Sequence, residues 1–336
     1  MEAAAGLMAT TTAPTRTPRR SLERLNRGLR SLPWVPVWVA VIALWIGSRW
    51  IVGSSFQSLD NVWAVVTAAS FIAVAAAGQG LVILTGGIDL SIPWVMTLGG
   101  VMIARWTNGS DSALIWALPA LLGIGLVIGA INGAAVTLLG IAPVIVTIAM
   151  NSVIQGVVLV STGGTPTGSA PPLLRDIMVN KVAGIPIIVI GLVAFAVLVG
   201  LAMSRTTGGK RAYAVGNSER VARLSGVRVP AVIIGVYAIS AMCSVLAGIL
   251  LTASSSQGFL GMGDPYLLPS IAAVVIGGAS ILGGRGHYSG TFGGAIFLAL
   301  LTSVLTAVSV SEATREILFG VVLLLAVVAA REQGVA

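Results

Sequence analysis

The stretch TGGIDLS sets Asp89 between two apolar runs, and Asn151 and Gln155 lie four residues apart inside another. Ionisable and amide side chains are costly among hydrocarbon, so each such residue needs a polar partner or a wet surface. Asp89 has two readings. Gly86 and Gly87 break the preceding helix, Asp89 or Ser91 can cap the next one, and Pro93 suits its first turn. Alternatively, the carboxylate touches a substrate or an ion directly. Asn151 and Gln155 share one helix face. They either bond a partner helix or line a polar route, and Gln79 and Asn132 in neighbouring runs face the same choice. These five residues are candidates for the wall or gate of a path.

Other chemistry is poorly supported. The one cysteine, Cys243, sits in an apolar run, so no internal disulfide or multi-cysteine metal site is available. His287 is the one histidine, with no carboxylate fixed beside it; it reads as a solvated loop residue. No nucleophile–base pair and no metal-ligand cluster stands out, which argues against an enzyme. The stretch RTTGGKRAYAVGNSERVARLSGVR, Arg205 to Arg228, is different: a basic island between two hydrocarbon runs. Ser218 can cap a short helix, Glu219 suits its first turn, and Gly226 can end it. Val221 and Leu224 form a small apolar face, with Arg220 and Arg223 on another. So short a helix is unstable in water alone and needs a surface to rest on. TTGGKR fails as a phosphate loop: no glycine lies five positions before Gly209, and Lys210 is followed by Arg211.

The elements that must position these residues follow from composition. The 336 residues are 56% hydrophobic and 9% charged, where a soluble domain carries roughly 25% charge. The apolar runs repeat along the chain, which predicts an all-α polytopic membrane protein. Ten segments are expected, at roughly 33–52, 60–85, 92–106, 113–139, 143–161, 185–204, 229–253, 265–279, 290–310 and 315–330. Of these, 92–106, 265–279 and 315–330 are short, and are read as tilted, broken or re-entrant. Residues 1–30 read as a basic cytoplasmic tail, with an amphipathic stretch near Ser21–Arg30, and 31–336 as the transmembrane domain. Six crossings separate the tail from the loop at 205–228. Six is even, so both basic clusters face the cytoplasm, as does the C-terminus with Arg331. Asp264 and Tyr266 then fall in an outer loop. The net charge of +8 belongs to these loops, and no nucleic-acid partner is expected. Gly125, Gly129 and Gly133 recur every four residues, the spacing of a close helix–helix contact.

Taken together, these stretches resemble the membrane permease subunits of bacterial ABC importers for ribose, xylose, galactose and related monosaccharides, over residues 60 to 330. TGGIDLS, Gly86 to Ser91 within it, is the most specific match. AVVIGGASILGGRG is similar to a late glycine-rich segment, through Gly277, Gly278, Gly283, Gly284, Arg285 and Gly286. GGKRAYAVGNSERVARLSGV is similar to the cytoplasmic coupling loop. The resemblance implies an inner-membrane subunit with a coupling helix that docks on a partner ATPase. Docking is assigned to Arg211, Tyr213, Asn217, Ser218, Glu219, Arg220, Val221 and Leu224. It also implies a periplasmic binding protein, a second permease copy or paralogue, and no cofactor on this chain, since ATP is bound by the partner. Coupling loops of this type often read Gly-Gly-Asn or Gly-Ser-Asn where Gly216, Asn217 and Ser218 stand here. A left-handed Asn217 is expected to preserve the turn. Arg often precedes Gly156 where Gln155 stands, and Pro-Phe is Pro143-Val144 here. Permeases for nucleosides, furanone signals or branched amino acids are the alternatives within the class. An ion-coupled secondary transporter would want a midplane carboxylate, and Asp89 comes nearest.

Overall fold

The computed structural model describes residues 34–332; the tail at 1–30, with its amphipathic stretch, lies outside them. The described chain is helical apart from one two-stranded hairpin. In order, the helices are α1 (Val35–Ile51), α2 (Leu59–Leu84), α3 (Ile92–Thr107), α4 (Leu114–Leu138), α5 (Pro143–Thr162), α6 (Pro172–Val179) and α7 (Ile187–Arg205). Then come α8 (Thr207–Asn217), α9 (Glu219–Leu224), α10 (Val229–Ser255), α11 (Leu267–Ile276), α12 (Tyr288–Ala307) and α13 (Glu312–Glu332). Strands β1 (Lys181–Val182) and β2 (Ile185–Pro186) join α6 to α7. Their turn has positive φ at both Ala183 and Gly184, as a tight two-residue hairpin demands.

Among the described residues, six helices (α2, α4, α5, α7, α10 and α12) are long and apolar enough to cross a bilayer. Their burial separates core from rim. The most apolar stretch of α2 is 72% buried, whereas that of α5 is 17% buried. Val127 on α4, Val160 on α5 and Val197 on α7 stand exposed, which suits contact with lipid.

Helix α10 is the axis of the fold, and glycines let its neighbours approach it. A Cβ at Gly129 would stand 2.1 Å from the Tyr237 carbonyl oxygen, and one at Gly133 2.6 Å from Ile234 Cα. The four-residue glycine repeat is therefore the α4–α10 contact that its spacing predicted. Gly78 of α2 and Gly99 of α3 meet α10 in the same way, against Ser240 and Val245. Gly248 of α10 returns the contact against Met96.

The three short segments resolve differently. Helix α3 is about 24 Å long at 1.5 Å per residue, less than the roughly 30 Å of a bilayer core. It is sheathed by protein, with only Arg105 and Trp106 emerging. Helix α13 is a 21-residue helix, longer than the apolar run within it. The eighth segment is broken. From Ser256 the chain turns back along α3: Gly258 packs on Val101, and Gly263 N–H donates to Thr97 Oγ1 at 3.1 Å. Helix α11 begins only there and has ten residues. Asp264 and Tyr266 therefore sit partway down the bundle and not in an outer loop. Residue count placed them outside because a re-entrant segment spends chain length without crossing.

Candidate functional site

Two polar regions stand out. The first lies at the end of the bundle that carries α8 and α9. The island expected to be one short helix in a loop is two helices. Thr206 caps α8 by accepting from Gly209 N–H at 3.1 Å. Ser218 caps α9 by accepting from Val221 N–H at 3.3 Å. Gly226, with φ near +80°, ends α9 where the sequence placed its stop. The expected left-handed Asn217 is not found: Asn217 closes α8, and the bend comes at Ser218, with φ −167° and ψ 112°. The bend needs no positive φ because extended backbone at the cap already redirects the chain.

The inner side of this pair is fixed. Ala212, Val215 and Ala222 are buried with Leu84, Met203, Val229 and Tyr288, so α2, α7, α10 and α12 all meet here. The late glycine-rich segment joins them. Gly284 N–H donates to the Leu84 carbonyl at 2.9 Å. Tyr213 donates its hydroxyl to the Gly286 carbonyl, and Asn217 Nδ2 donates to the Gly284 carbonyl at 3.4 Å. Burial pushes the Tyr213 phenol above its ordinary range, so it stays a donor at neutral pH. Gly216 is required by contact: a Cβ there would stand 1.9 Å from the Leu84 carbonyl oxygen. The outer side is open. Val221 is 61% exposed and Leu224 is 83% exposed, with Arg211, Glu219, Arg220 and Arg223 exposed around them. Leu282, in the glycine-rich segment, is also exposed.

The second region surrounds Asp89, just beyond the C-terminus of α2. The carboxylate is fully buried. Oδ1 accepts from Ser91 N–H at 2.9 Å and from Ser91 Oγ at 2.6 Å, and Oδ2 accepts from Ser240 Oγ of α10 at 2.9 Å. Asn132 Nδ2 of α4 donates to Ser91 Oγ at 3.1 Å. Thr147 Oγ1 of α5 reaches the Ile88 carbonyl at 3.4 Å. Asp89 thus ties the break between α2 and α3 to α10 and, through Ser91, to α4. Ser91 is the first residue before α3, yet its hydroxyl turns to Asp89 and caps nothing. Asn151 Oδ1 accepts from Trp94 N–H at 3.3 Å, which links α5 to α3.

Not every candidate joins this network. Gln79 is fully buried with neither amide atom paired, and Asn132 Oδ1 is likewise unpaired. Gln155 is half-buried and makes no hydrogen bond among the described residues. Tyr237 and Ser240 were not singled out from the sequence. The buried Tyr237 hydroxyl lies over Gly87, where a Cβ would approach it to 2.4 Å. Ser240 and Ser244, four apart on an apolar helix, were the available signal.

Six apolar helices long enough to cross a bilayer, with a segment that turns back among them, make this an all-α polytopic membrane protein. The chain belongs to the family described as the branched-chain amino acid transport system permease component, which matches residues 61–327. It is 34% identical over 279 residues to the ribose import permease protein RbsC of Escherichia coli (strain K12), covering 81% of this chain and 86% of the relative. It is 31% identical over 315 residues to the fructose import permease protein FrcC of Rhizobium meliloti, covering 91% and 87%. It is 30% identical over 295 residues to the probable ABC transporter permease protein y4mJ of Sinorhizobium fredii (strain NBRC 101917 / NGR234), covering 86% of each. No solved structure matches the chain.

Proposed function

We propose that this chain is the membrane-spanning subunit of an ATP-driven ABC importer for a sugar or a sugar-like polyol. The relatives named for ribose and fructose import support the substrate class, and the relative named as an ABC permease supports the energy source. The observation that carries the reading is the α8–α9 element. Its inner face is packed against four spans, while Val221 and Leu224 are left bare at its tip. A surface of that kind passes force from a partner to the helices behind it. The partner is a cytoplasmic ATPase, which binds the ATP; this chain itself carries out no covalent chemistry. Docking contacts are Val221, Leu224, Arg211, Glu219 and Arg220, while Tyr213, Asn217 and Ser218 hold the element in place.

The subunit sits in the bacterial inner membrane with both termini cytoplasmic, and a periplasmic binding protein delivers the substrate. A second copy or a paralogue encloses the path. A substrate moves only if the outward and inward states differ in free energy with and without ATP. The double substitution Val221→Asp with Leu224→Asp tests the coupling. Membrane insertion should stay at the wild-type level, while sugar uptake and stimulated ATP hydrolysis in the complete transporter should be lost. Undiminished uptake by that variant would remove the docking role. Uptake that collapses with an uncoupler at constant ATP would replace the whole reading with ion-coupled transport.

A further inference from the structure

We propose that Asp264 lines the path at mid-depth and accepts hydrogen bonds from substrate hydroxyls, below an outer vestibule walled by Trp63, Thr67 and Phe71. The inference rests on the transport reading above and adds the site.

Depth comes first. Tyr266 meets Phe71 edge-on, with ring centroids 6.2 Å apart. Phe71 is twelve residues from the start of α2 and thirteen from its end. At 1.5 Å per residue that is about 18 Å and about 20 Å, the middle of the helix. Gly263, one residue before Asp264, is wedged against the Pro93 carbonyl, where a Cβ would stand 2.0 Å away. Helix α11 then covers only about 15 Å before the glycine-rich segment pinned to Leu84. Asp264 is thus held near the centre of the bundle by backbone contacts.

Exposure is the second observation. Asp264 and Pro265 are exposed, and the Asp264 carboxylate takes no hydrogen bond and no ion pair among the described residues. A bare carboxylate facing hydrocarbon at this depth is strongly unfavourable, so the surface it faces must hold water. Asp89, the other deep carboxylate, is closed in by three hydrogen bonds and cannot serve. The third observation is continuity. A concavity of about 390 Å³ opens at the far end from α8 and α9, between α2, α6, the hairpin and the end of α10. Its α2 wall is Asp60, Trp63, Thr67 and Phe71, one helical stripe. Phe71 lines this vestibule and is also the contact of Tyr266, two residues after Asp264, so the vestibule and the turn that carries Asp264 meet at one ring. An aromatic wall above and a carboxylate below suit a neutral, polyhydroxylated ligand.

The test uses cysteine labelling in intact membranes. Cys243, the one native cysteine, is buried and gives little background. Asp264→Cys should react with a membrane-impermeant methanethiosulfonate added from the outer side. Val127→Cys and Val197→Cys, on exposed faces of α4 and α7, should stay inert. An Asp264→Cys as inert as those two overturns the location. In the complete transporter, Asp264→Asn should raise the KM for D-ribose or D-fructose uptake about tenfold, the worth of one charge-assisted hydrogen bond. Labelling with an unchanged KM overturns the contact with substrate. Wild-type transporter that takes up neither sugar, beside a reactive Asp264→Cys, instead counts against the sugar reading and leaves the site standing.

Discussion

Gly216 and Gly208 occupy the same helix, and the same substitution should act on them with opposite sign. In α8, a Cβ at Gly208 would meet only Thr206 Oγ1, at 3.7 Å. At Gly216 it would stand 1.9 Å from the Leu84 carbonyl oxygen and 2.7 Å from Gly284 N. These two atoms are the partners of the 2.9 Å hydrogen bond that ties the glycine-rich segment to α2. Both neighbours are backbone, so neither can swing aside. Gly208→Ala should therefore stabilise α8 by about 0.5–1 kcal/mol, through helix propensity alone. Gly216→Ala should cost about 1 kcal/mol for the lost hydrogen bond and about 1–3 kcal/mol for the forced displacement. Set against the helix gain, the net is about 1–3.5 kcal/mol at one joint, about a 5- to 300-fold shift toward the undocked element. Limited trypsin digestion of detergent-solubilised protein reads this directly, because Arg205, Lys210, Arg211, Arg220, Arg223 and Arg228 crowd the element. Gly216→Ala should be cut there much faster than wild type, and Gly208→Ala no faster. Equal digestion of the two variants would refute the reasoning.

Two further outcomes follow from the buried contacts. Asp89→Ala leaves the Ser91 and Ser240 hydroxyls without their acceptor, so it should lower thermal stability by about 1–3 kcal/mol per stranded group. In a double-mutant cycle with Ser240→Ala the losses should be less than additive, and strict additivity would mean that the 2.9 Å contact has no energetic weight. Gly129→Val drives its side chain into the Tyr237 carbonyl and should reduce folded protein in the membrane far more than Gly123→Val, whose Cβ would meet nothing within 4 Å; fluorescence-detected size exclusion checks the pair.

The legible features were those set by local chemistry. The apolar runs, the break at Gly86 and Gly87, the cap at Ser218 and the stop at Gly226 each depend on a few neighbouring residues, and each was readable. The exposed pair Val221 and Leu224 was also readable, because their spacing on a capped helix fixes a shared face. Helix α8 was not: three glycines, mixed polarity and a low apolar content gave no periodicity, and burial of Ala212 and Val215 against distant spans forms it. The hairpin before α7 escaped for a similar reason, since two-residue strands carry no pattern.

The amino-acid sequence by itself determined that this chain lies in a membrane and that a short capped helix interrupts the hydrocarbon. Those are properties of transfer free energy and local backbone preference, and they need no knowledge of neighbours. Only the tertiary structure decided that Asp89 is closed off by Ser91 and Ser240, while Asp264 stands open at mid-depth. Both are single carboxylates beside glycine-rich turns, alike in sequence. They differ because the chain after Ser256 folds back along α3, and a reversal inside the bundle changes depth without changing composition.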